Sequence, residues 1–369
     1  MASMNGCPYT KVACFSLNTS PPWAMSTLVK SPLTLSRQRQ SPSLLNQRLA
    51  ALLLGAFILF FLLTTVAATL TSGCGCDLPV GQSPGAPSVQ VPFQQSSGVN
   101  RTYLIHIPKN YNQNTPAPLV LNFHGRGRNN IYQEFLTGFS RPDWNPNAIV
   151  VYPQGINDRW QGDPESLNVD DVGFVSDLIS SISHKYCLDS KRIYATAKSN
   201  GGSFVNQLAC DFRLSTQIAA FAPVSAALYL PGVSEKNCSD YIRRSASFPC
   251  SPGRTEIPIL EFHGLEDDTI PYYGGPRRGS CLISIPHWLE DWAKLQGYGP
   301  TFRNSSLFDG NVIKLEYAPG TKNEGIITHY AIKNWSHDWP SRNSTVDTLN
   351  TTFIDATPMI MAFFDKHLL

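Results

Sequence analysis

Arg192-Ile193-Tyr194-Ala195-Thr196-Ala197-Lys198-Ser199-Asn200-Gly201-Gly202 is the stretch on which the fold turns. Its β-branched and aromatic run, Ile193 to Thr196, predicts a short buried strand. The run stops at small residues and passes into Gly201 to Ala209, which reads as a helix. A strand, a sharp turn carrying a serine and then a helix is the layout of a nucleophile elbow. Such a turn leaves no room for large side chains two positions to either side of the serine, so Ala197 and Gly201 must be small. Small-x-Ser-x-small also occurs by chance in loops, so the rest of the chain decides.

Working outward, strands are expected at Tyr103 to Pro108, Pro118 to Phe123, Ala148 to Tyr152, Ile218 to Val224, Ile257 to Phe262, Val312 to Tyr317 and Ile326 to Ile332. Helices are expected after the Asp170-Asp171 cap, over Ile283 to Leu295 and from Pro358 to His367. This alternation predicts an α/β fold, a mostly parallel sheet covered by helices on both faces. The segment from Tyr229 to Glu256 lacks such a pattern, carries two cysteines and is expected to be a stapled surface loop near the site.

In an open parallel sheet, chemistry collects at the carboxyl ends of the strands. His124-Gly125-Arg126-Gly127, Ser199, Glu266-Asp267-Asp268 and His337 each follow their own strand. Serine, acid and histidine therefore occur in the chain order of α/β-hydrolases. Ser199 is the candidate nucleophile and His337 the candidate base. Among the acids Asp267 is preferred, with Asp268 the main rival. His106 and His329 fall on strand patterns, and His184, His287 and His367 on helical ones, as ordinary packing or surface residues do. His124 and His263 stand in strand-end His-Gly pairs, where a structural hydrogen bond is the expected role.

The chain has 369 residues, 42% of them hydrophobic and 15% charged. Its formal charge of +2 hides an asymmetry, since residues 1–73 hold five bases and no acid. The remainder carries 24 bases against 27 acids, which argues against nucleic-acid binding. Residues 1–48, rich in Ser, Pro, Gln and Asn, are expected to be disordered. Leu49 to Leu70 is an uncharged apolar run long enough to span a bilayer. With its flank to residue 72 it is a signal peptide cleaved near Val66-Ala67-Ala68, or else an uncleaved signal anchor. Secretion is the expected outcome, with a single-pass membrane protein whose following domain lies outside as the alternative. Residues 73–99 form a Pro/Gly/Ser-rich lead-in with room for one strand, and 100–369 one catalytic domain.

After the apolar run, six Asn-x-Ser/Thr acceptors, at Asn100, Asn237, Asn304, Asn334, Asn343 and Asn350, suit an extracytoplasmic chain. Seven cysteines follow the apolar run, in a compartment that favours disulfides. No C-x-x-C pair or histidine cluster accompanies them, so no metal is expected.

From about Asn100 onward the chain resembles secreted feruloyl esterases, within the polyhydroxybutyrate-depolymerase-like α/β-hydrolases. The resemblance rests on NFHGRGRN (122–129), NPNAIVVYPQG (145–155), RWQGDP (159–164), DDVGFVSDLI (170–179), YCLDSKRIYATAKSNGG (186–202), IAAFAPVS (218–225), PILEFHGLEDDTIPYYGG (258–275) and HDWPS (337–341). It implies Ser199 as nucleophile, Asp267 as acid and His337 as base. Ala197, Ser203 and Ser336 depart from positions where the resemblance leads one to expect glycine. Cys76 looks additional to the family's set and is the candidate for an unpaired thiol.

The serine, acid and histidine predict ester hydrolysis through an acyl-enzyme, without cofactor, by a monomer; the resemblance implies feruloylated arabinoxylan or a similar plant cell-wall ester as substrate. The oxyanion would meet the N–H of Asn200, just after the nucleophile, and the N–H of Arg126. Trp160, Tyr229, Tyr272, Trp335 and Trp339 are candidate contacts for an aromatic acid, with packing the default role of each. The alternatives are an acetylxylan esterase, a short-chain polyester depolymerase and, more remotely, a membrane-anchored binding protein without catalysis.

Overall fold

A computed structural model describes residues 70–166 and 168–369. The expected disordered segment 1–48, and residues 49–69 of the apolar run, lie outside the described residues. Among the described residues the strands are β1 (Val89–Gln94), β2 (Asn100–His106), β3 (Ala117–Phe123), β4 (Ile149–Pro153), β5 (Leu188–Lys198), β6 (Ala220–Val224), β7 (Tyr229–Ser234), β8 (Ile259–Gly264), β9 (Gly275–Arg277), β10 (Ser280–Leu282), β11 (Phe302–Leu307), β12 (Val312–Tyr317) and β13 (Ile327–Ile332). The α-helices are α1 (Asn130–Thr137), α2 (Asp171–Lys185), α3 (Asn200–Cys210), α4 (Asp240–Ser245), α5 (Ile285–Leu295) and α6 (Ala356–Phe364).

Ten strands pair in the order β1-β2-β4-β3-β5-β6-β8-β13-β12-β11. The centre, from β4 to β13, is parallel, and antiparallel strands flank it on both sides. Every residue of β3, β4, β6 and β8 is buried. Such strands must be apolar on both faces, which is why they read as continuous hydrophobic runs.

Successive side chains point to opposite faces and feed two cores. Leu119, Leu121, Phe123, Ile193 and Ala195 pack with Phe174 and Leu178 of α2, Phe204 of α3 and Trp288 of α5. Val120, Tyr194, Ala222 and Phe262 pack on the other face with Leu136 of α1 and Phe364 of α6. Asp170 caps α2 by accepting from the Gly173 N–H at 2.8 Å, as the sequence suggested.

The structure departs from the pattern reading in a few places. β5 begins five residues before Ile193: its polar first half holds the half-exposed Ser190 to Arg192, and the buried Asp189 makes an isolated bridge to Leu70. α1 is a short helix set by its ends: Asn129 caps it by accepting from Tyr132 N–H, and Gly138 closes it at φ 64°. The stretch after Tyr229 holds β7 and α4. β7 joins β9 and β10 in a separate three-stranded sheet.

Disulfides Cys74–Cys187, Cys210–Cys250 and Cys238–Cys281 staple the domain, the last two fixing this excursion to α3 and β10. Cys76 is also disulfide-bonded, so it is not the unpaired thiol expected from the sequence. The lead-in is woven into the fold. β1 pairs along β2, and Gly73 N–H donates to the Ser183 carbonyl at 3.0 Å. No helix among the described residues is long and apolar enough to cross a membrane.

Candidate active site

β5 ends at Lys198 and α3 starts at Asn200, leaving Ser199 alone in the turn with φ 57° and ψ −118°. A serine pays in strain for this left-handed backbone, and such strain clusters at functional sites. Ser199 N–H donates to the Val224 carbonyl at 2.9 Å, and its own carbonyl accepts from Ala227 N–H at 3.0 Å. The turn is thereby tied to the end of β6. The serine side chain does not cap α3.

The steric requirement is asymmetric. A Cβ on Gly201 would lie 2.6 Å from the His124 carbonyl oxygen, 2.7 Å from that of Phe123 and 3.0 Å from the Ala197 methyl. Glycine is therefore obligatory at 201. The facing position tolerates one methyl, which accounts for Ala197.

The histidine and the acid come from neighbouring parallel strands. Asp267 follows β8 and His337 follows β13, and Nδ1 of His337 lies 2.7 Å from Asp267 Oδ2. Asp267 Oδ1 accepts from the N–H groups of Thr269 at 3.0 Å and Ile270 at 2.7 Å, which fixes the carboxylate. The two loops touch through their backbones. A Cβ on Gly264 would fall 2.0 Å from the Trp335 carbonyl oxygen, so only glycine fits between them. Ser336 is absent from the positive-φ residues, so serine there carries no left-handed strain. Asp268 is exposed, and its side chain accepts from the neighbouring Thr269 hydroxyl.

Burial would raise the Asp267 pKa, but hydrogen bonds from His263 and His337 outweigh it and hold the carboxyl well below its ordinary value. Burial lowers the pKa of His337, partly opposed by Asp267. The imidazole is thus neutral near pH 7, with Nδ1–H on Asp267 and Nε2 left to act as a base. Ser199 and His337 line the same cleft, of about 770 Å³ and open to solvent, together with Gly125 and Arg126.

The two expected oxyanion donors flank this cleft. Asn200 is the first residue of α3, where N–H groups lack intrahelical acceptors. In the loop after β3, Gly127 N–H is spent on the Asp158 carbonyl and Arg128 N–H on that of Gly125. The Arg126 N–H has no backbone acceptor among the described residues. Trp160 joins the two sides. Its indole N–H donates to the His124 carbonyl at 2.9 Å, and its backbone N–H donates to Asn200 Oδ1 at 2.8 Å. His124 Nδ1 lies 2.8 Å from the Gly125 carbonyl, and its Nε2 accepts from Gly155 N–H at 3.0 Å. Burial brings its pKa down to about 4, so it is a neutral brace.

Of the five aromatic residues considered for substrate contact, Tyr229 alone lines the cleft. Trp160, Trp335, Trp339 and Tyr272 are buried elsewhere. Lys198 Nζ pairs with Asp347, whose other oxygen accepts from Tyr132 O–H, and all three border the cleft.

Sequence reasoning missed a buried network behind Asp267. His263 Nδ1 lies 3.0 Å from Glu261 Oε1, and its Nε2 lies 2.8 Å from the Ile270 carbonyl and 3.3 Å from Asp267 Oδ2. Glu261 Oε2 is 2.8 Å from His329 Nδ1, and His329 Nε2 is 3.0 Å from the Tyr272 hydroxyl. The side chains of Glu261, His263 and His329 are all 0% exposed. The available signal was Glu261 itself, a charge within the apolar run of β8.

This strand order, with a serine on the turn between β5 and α3, defines an α/β-hydrolase fold. Among solved structures, an acetyl xylan esterase from Aspergillus awamori matches with a TM-score of 0.50 at 15% identity, over 76% of this chain and 99% of that one. In sequence the chain is similar to feruloyl esterases. Feruloyl esterase B of Piromyces equi is 28% identical over 206 residues, 53% of this chain and 36% of that protein. Feruloyl esterase D of Neurospora crassa is 29% identical over 196 residues, 50% of this chain and 62% of that protein. The chain thus spans less than two thirds of the length of either relative. No protein-family model matches it.

Proposed function

We propose that the protein is a serine carboxylic-ester hydrolase of the feruloyl esterase kind, with Ser199, His337 and Asp267 as its catalytic residues. The observation that carries this reading is Ser199 strained on its elbow in the cleft that also holds the Asp267-oriented His337. His337 Nε2 takes the Ser199 proton as Oγ attacks the ester carbonyl carbon. Asp267 holds the imidazole in the required tautomer and stabilises the imidazolium. Negative charge on the carbonyl oxygen meets the N–H groups of Asn200 and Arg126, each such donor worth about 3 kcal/mol of barrier. The intermediate collapses as His337 passes its proton to the leaving alcohol oxygen. Water then repeats the sequence on the acyl-enzyme, releasing the acid and restoring Ser199.

Secretion belongs to the same reading. The disulfides suit an oxidising compartment. Leu70, the last residue of the apolar run, already pairs with Asp189.

A fluorophosphonate probe should label Ser199, and Ser199→Ala should remove labelling and nearly all hydrolysis while keeping the fold. Unlabelled wild-type protein, or substantial activity in the variant, would refute the assignment. A panel of feruloyl, coumaroyl and acetyl esters then identifies the acyl group. Methyl ferulate should be cleaved faster, relative to 4-nitrophenyl acetate, than by a generic esterase. An acetyl ester is the second reading. It is favoured by the shortage of aromatic lining, since Tyr229 and Tyr132 are the aromatic side chains bordering the cleft.

A further inference from the structure

The esterase reading leaves unexplained the charge around Ser199. Arg126, Arg128, Lys198, Arg277 and Arg278 border the cleft against two acids, Asp163 and Asp347. This excess does not spill over from a basic domain, since bases are outnumbered by acids after residue 73. Lys198 is spent on Asp347, and Arg126 on Glu165 at 2.7 Å and Asp163 at 3.6 Å. Arg277 and Arg278 have no carboxylate within 4.0 Å among the described residues. Arg277 is half-buried and Arg278 exposed, and the Arg277 Nε has no hydrogen-bond partner among the described residues.

Backbone geometry supplies an independent observation. Arg278 and Gly279 form the two-residue loop between β9 and β10, with φ of 51° and 72°. Positive φ at both central positions is the type I′ turn, where Asn-Gly is the favoured pair. An arginine held in that conformation beside a cleft is a strained residue of the kind that marks function. The hairpin is also held firmly. Cys281 of β10 is bonded to Cys238, β10 pairs with β7, and the Arg243 guanidinium donates to the carbonyls of Tyr273 and Gly274. The two guanidinium groups are therefore presented by a braced platform, which lowers the ordering cost of binding.

We propose that Arg277 and Arg278 form a subsite for a carboxylate carried by the ester substrate, so that anionic esters are preferred over neutral ones. The inference rests on the esterase reading and specifies its substrate class. Planar guanidinium forks match a carboxylate, and such charge-assisted contacts are the strong ones. The carboxylate could sit on the acid or on the alcohol side of the ester bond.

Two rigid pairs of esters separate these cases. Monomethyl terephthalate against dimethyl terephthalate places the charge on the acyl side. 4-Acetoxybenzoate against its methyl ester places it on the alcohol side. Each kcat/KM is divided by the rate of hydroxide-catalysed hydrolysis of the same ester. The anionic member of one pair should be preferred about tenfold. The preference should weaken with added salt. It should disappear in the double variant Arg277→Gln, Arg278→Gln, where the normalised kcat/KM of the anionic ester should fall to that of its neutral partner. Arg303→Gln, on β11, should leave the preference unchanged. Hydrolysis of all four esters with no preference in either pair, or a preference that survives the double variant, overturns the subsite and leaves the esterase standing. Failure to hydrolyse any of the four overturns both.

Discussion

Asp267 Oδ2 is shared by two imidazoles, lying 2.7 Å from His337 Nδ1 and 3.3 Å from His263 Nε2. The two rings differ in charge for a reason visible in their surroundings. Both nitrogens of His263 face acceptors: Glu261 on one side, the Ile270 carbonyl and Asp267 on the other. Both must then carry hydrogen, so His263 is an imidazolium. Burial opposes this charge, but Glu261 and Asp267 overcome it and push the pKa up to about 10. Behind the proposed acid therefore stands a fixed cation, held in turn by a buried carboxylate.

Glu261→Gln should separate positioning from folding. Removing one partner of a buried ion pair costs about 3 kcal/mol of stability. Beyond that loss, kcat should fall by roughly a hundredfold as Asp267 and His337 lose their alignment. KM should hardly move, because Glu261 is fully buried and touches no substrate. A merely structural role would lower stability and leave kcat and the pH profile of the folded fraction unchanged.

The rate profile with pH follows from His337. Burial lowers its pKa from the ordinary 6.5, so the neutral base form dominates above that value. Accordingly kcat/KM for an uncharged ester should rise through a single ionisation below pH 6.5 and stay flat to pH 8. A midpoint at or above 7 would mean that another group controls the step.

Stability should carry the opposite signature of His263. Its pKa is near 10 when folded and about 6.5 when unfolded. The folded state thus binds the extra proton, and the contribution is full below pH 6.5 and lost as pH rises through about 10. The gap in Tm between wild type and His263→Gln should shrink steadily from pH 6.5 to pH 10. A gap independent of pH would show that His263 is not charged in the folded protein.

Gly201→Ala and Ala197→Gly form a matched pair at the elbow. The first places a methyl 2.6 Å from a carbonyl oxygen and should abolish activity or prevent soluble folding. The second removes the methyl that crowds the glycine. It should keep activity within about threefold, while losing roughly 1 kcal/mol to strand entropy. Activity assays and thermal melts on both variants check this.

Much of the candidate site could be read in the sequence because it sits where strands end. Ser199, Asp267 and His337 each follow an apolar run, and the direction of parallel strands brings all three to one edge. The Glu261 to Tyr272 network could not be read that way. Glu261 and His329 face each other only through the register of β8 against β13, in which His329 pairs with Glu261. Periodicity marks each as a strand residue and says nothing about its partner across the sheet. The β9–β10 turn was missed because Arg278-Gly279 lacks the Asn-Gly signature of its turn type. Trp160 is the structural residue that the sequence reading takes as its default, but only the structure shows what it does there, its two N–H groups bracing His124 and Asn200.

Asp267 and His337 follow adjacent strands, yet 70 residues of chain separate them. Leu265 N–H reaches the Ile332 carbonyl at 2.8 Å, and Glu266 N–H that of Trp335 at 3.2 Å. These bonds form only once β13 has docked beside β8, after the excursion carrying β9 to β12 has closed. Contacts of that span are among the slower ones to assemble. A newly made or refolding chain can therefore acquire most of its sheet and its elbow serine while still lacking a working base. With Ser199 and His337 in their proposed roles, hydrolysis requires the last parallel strand in place, so its recovery on refolding should trail the spectroscopic return of helix and strand.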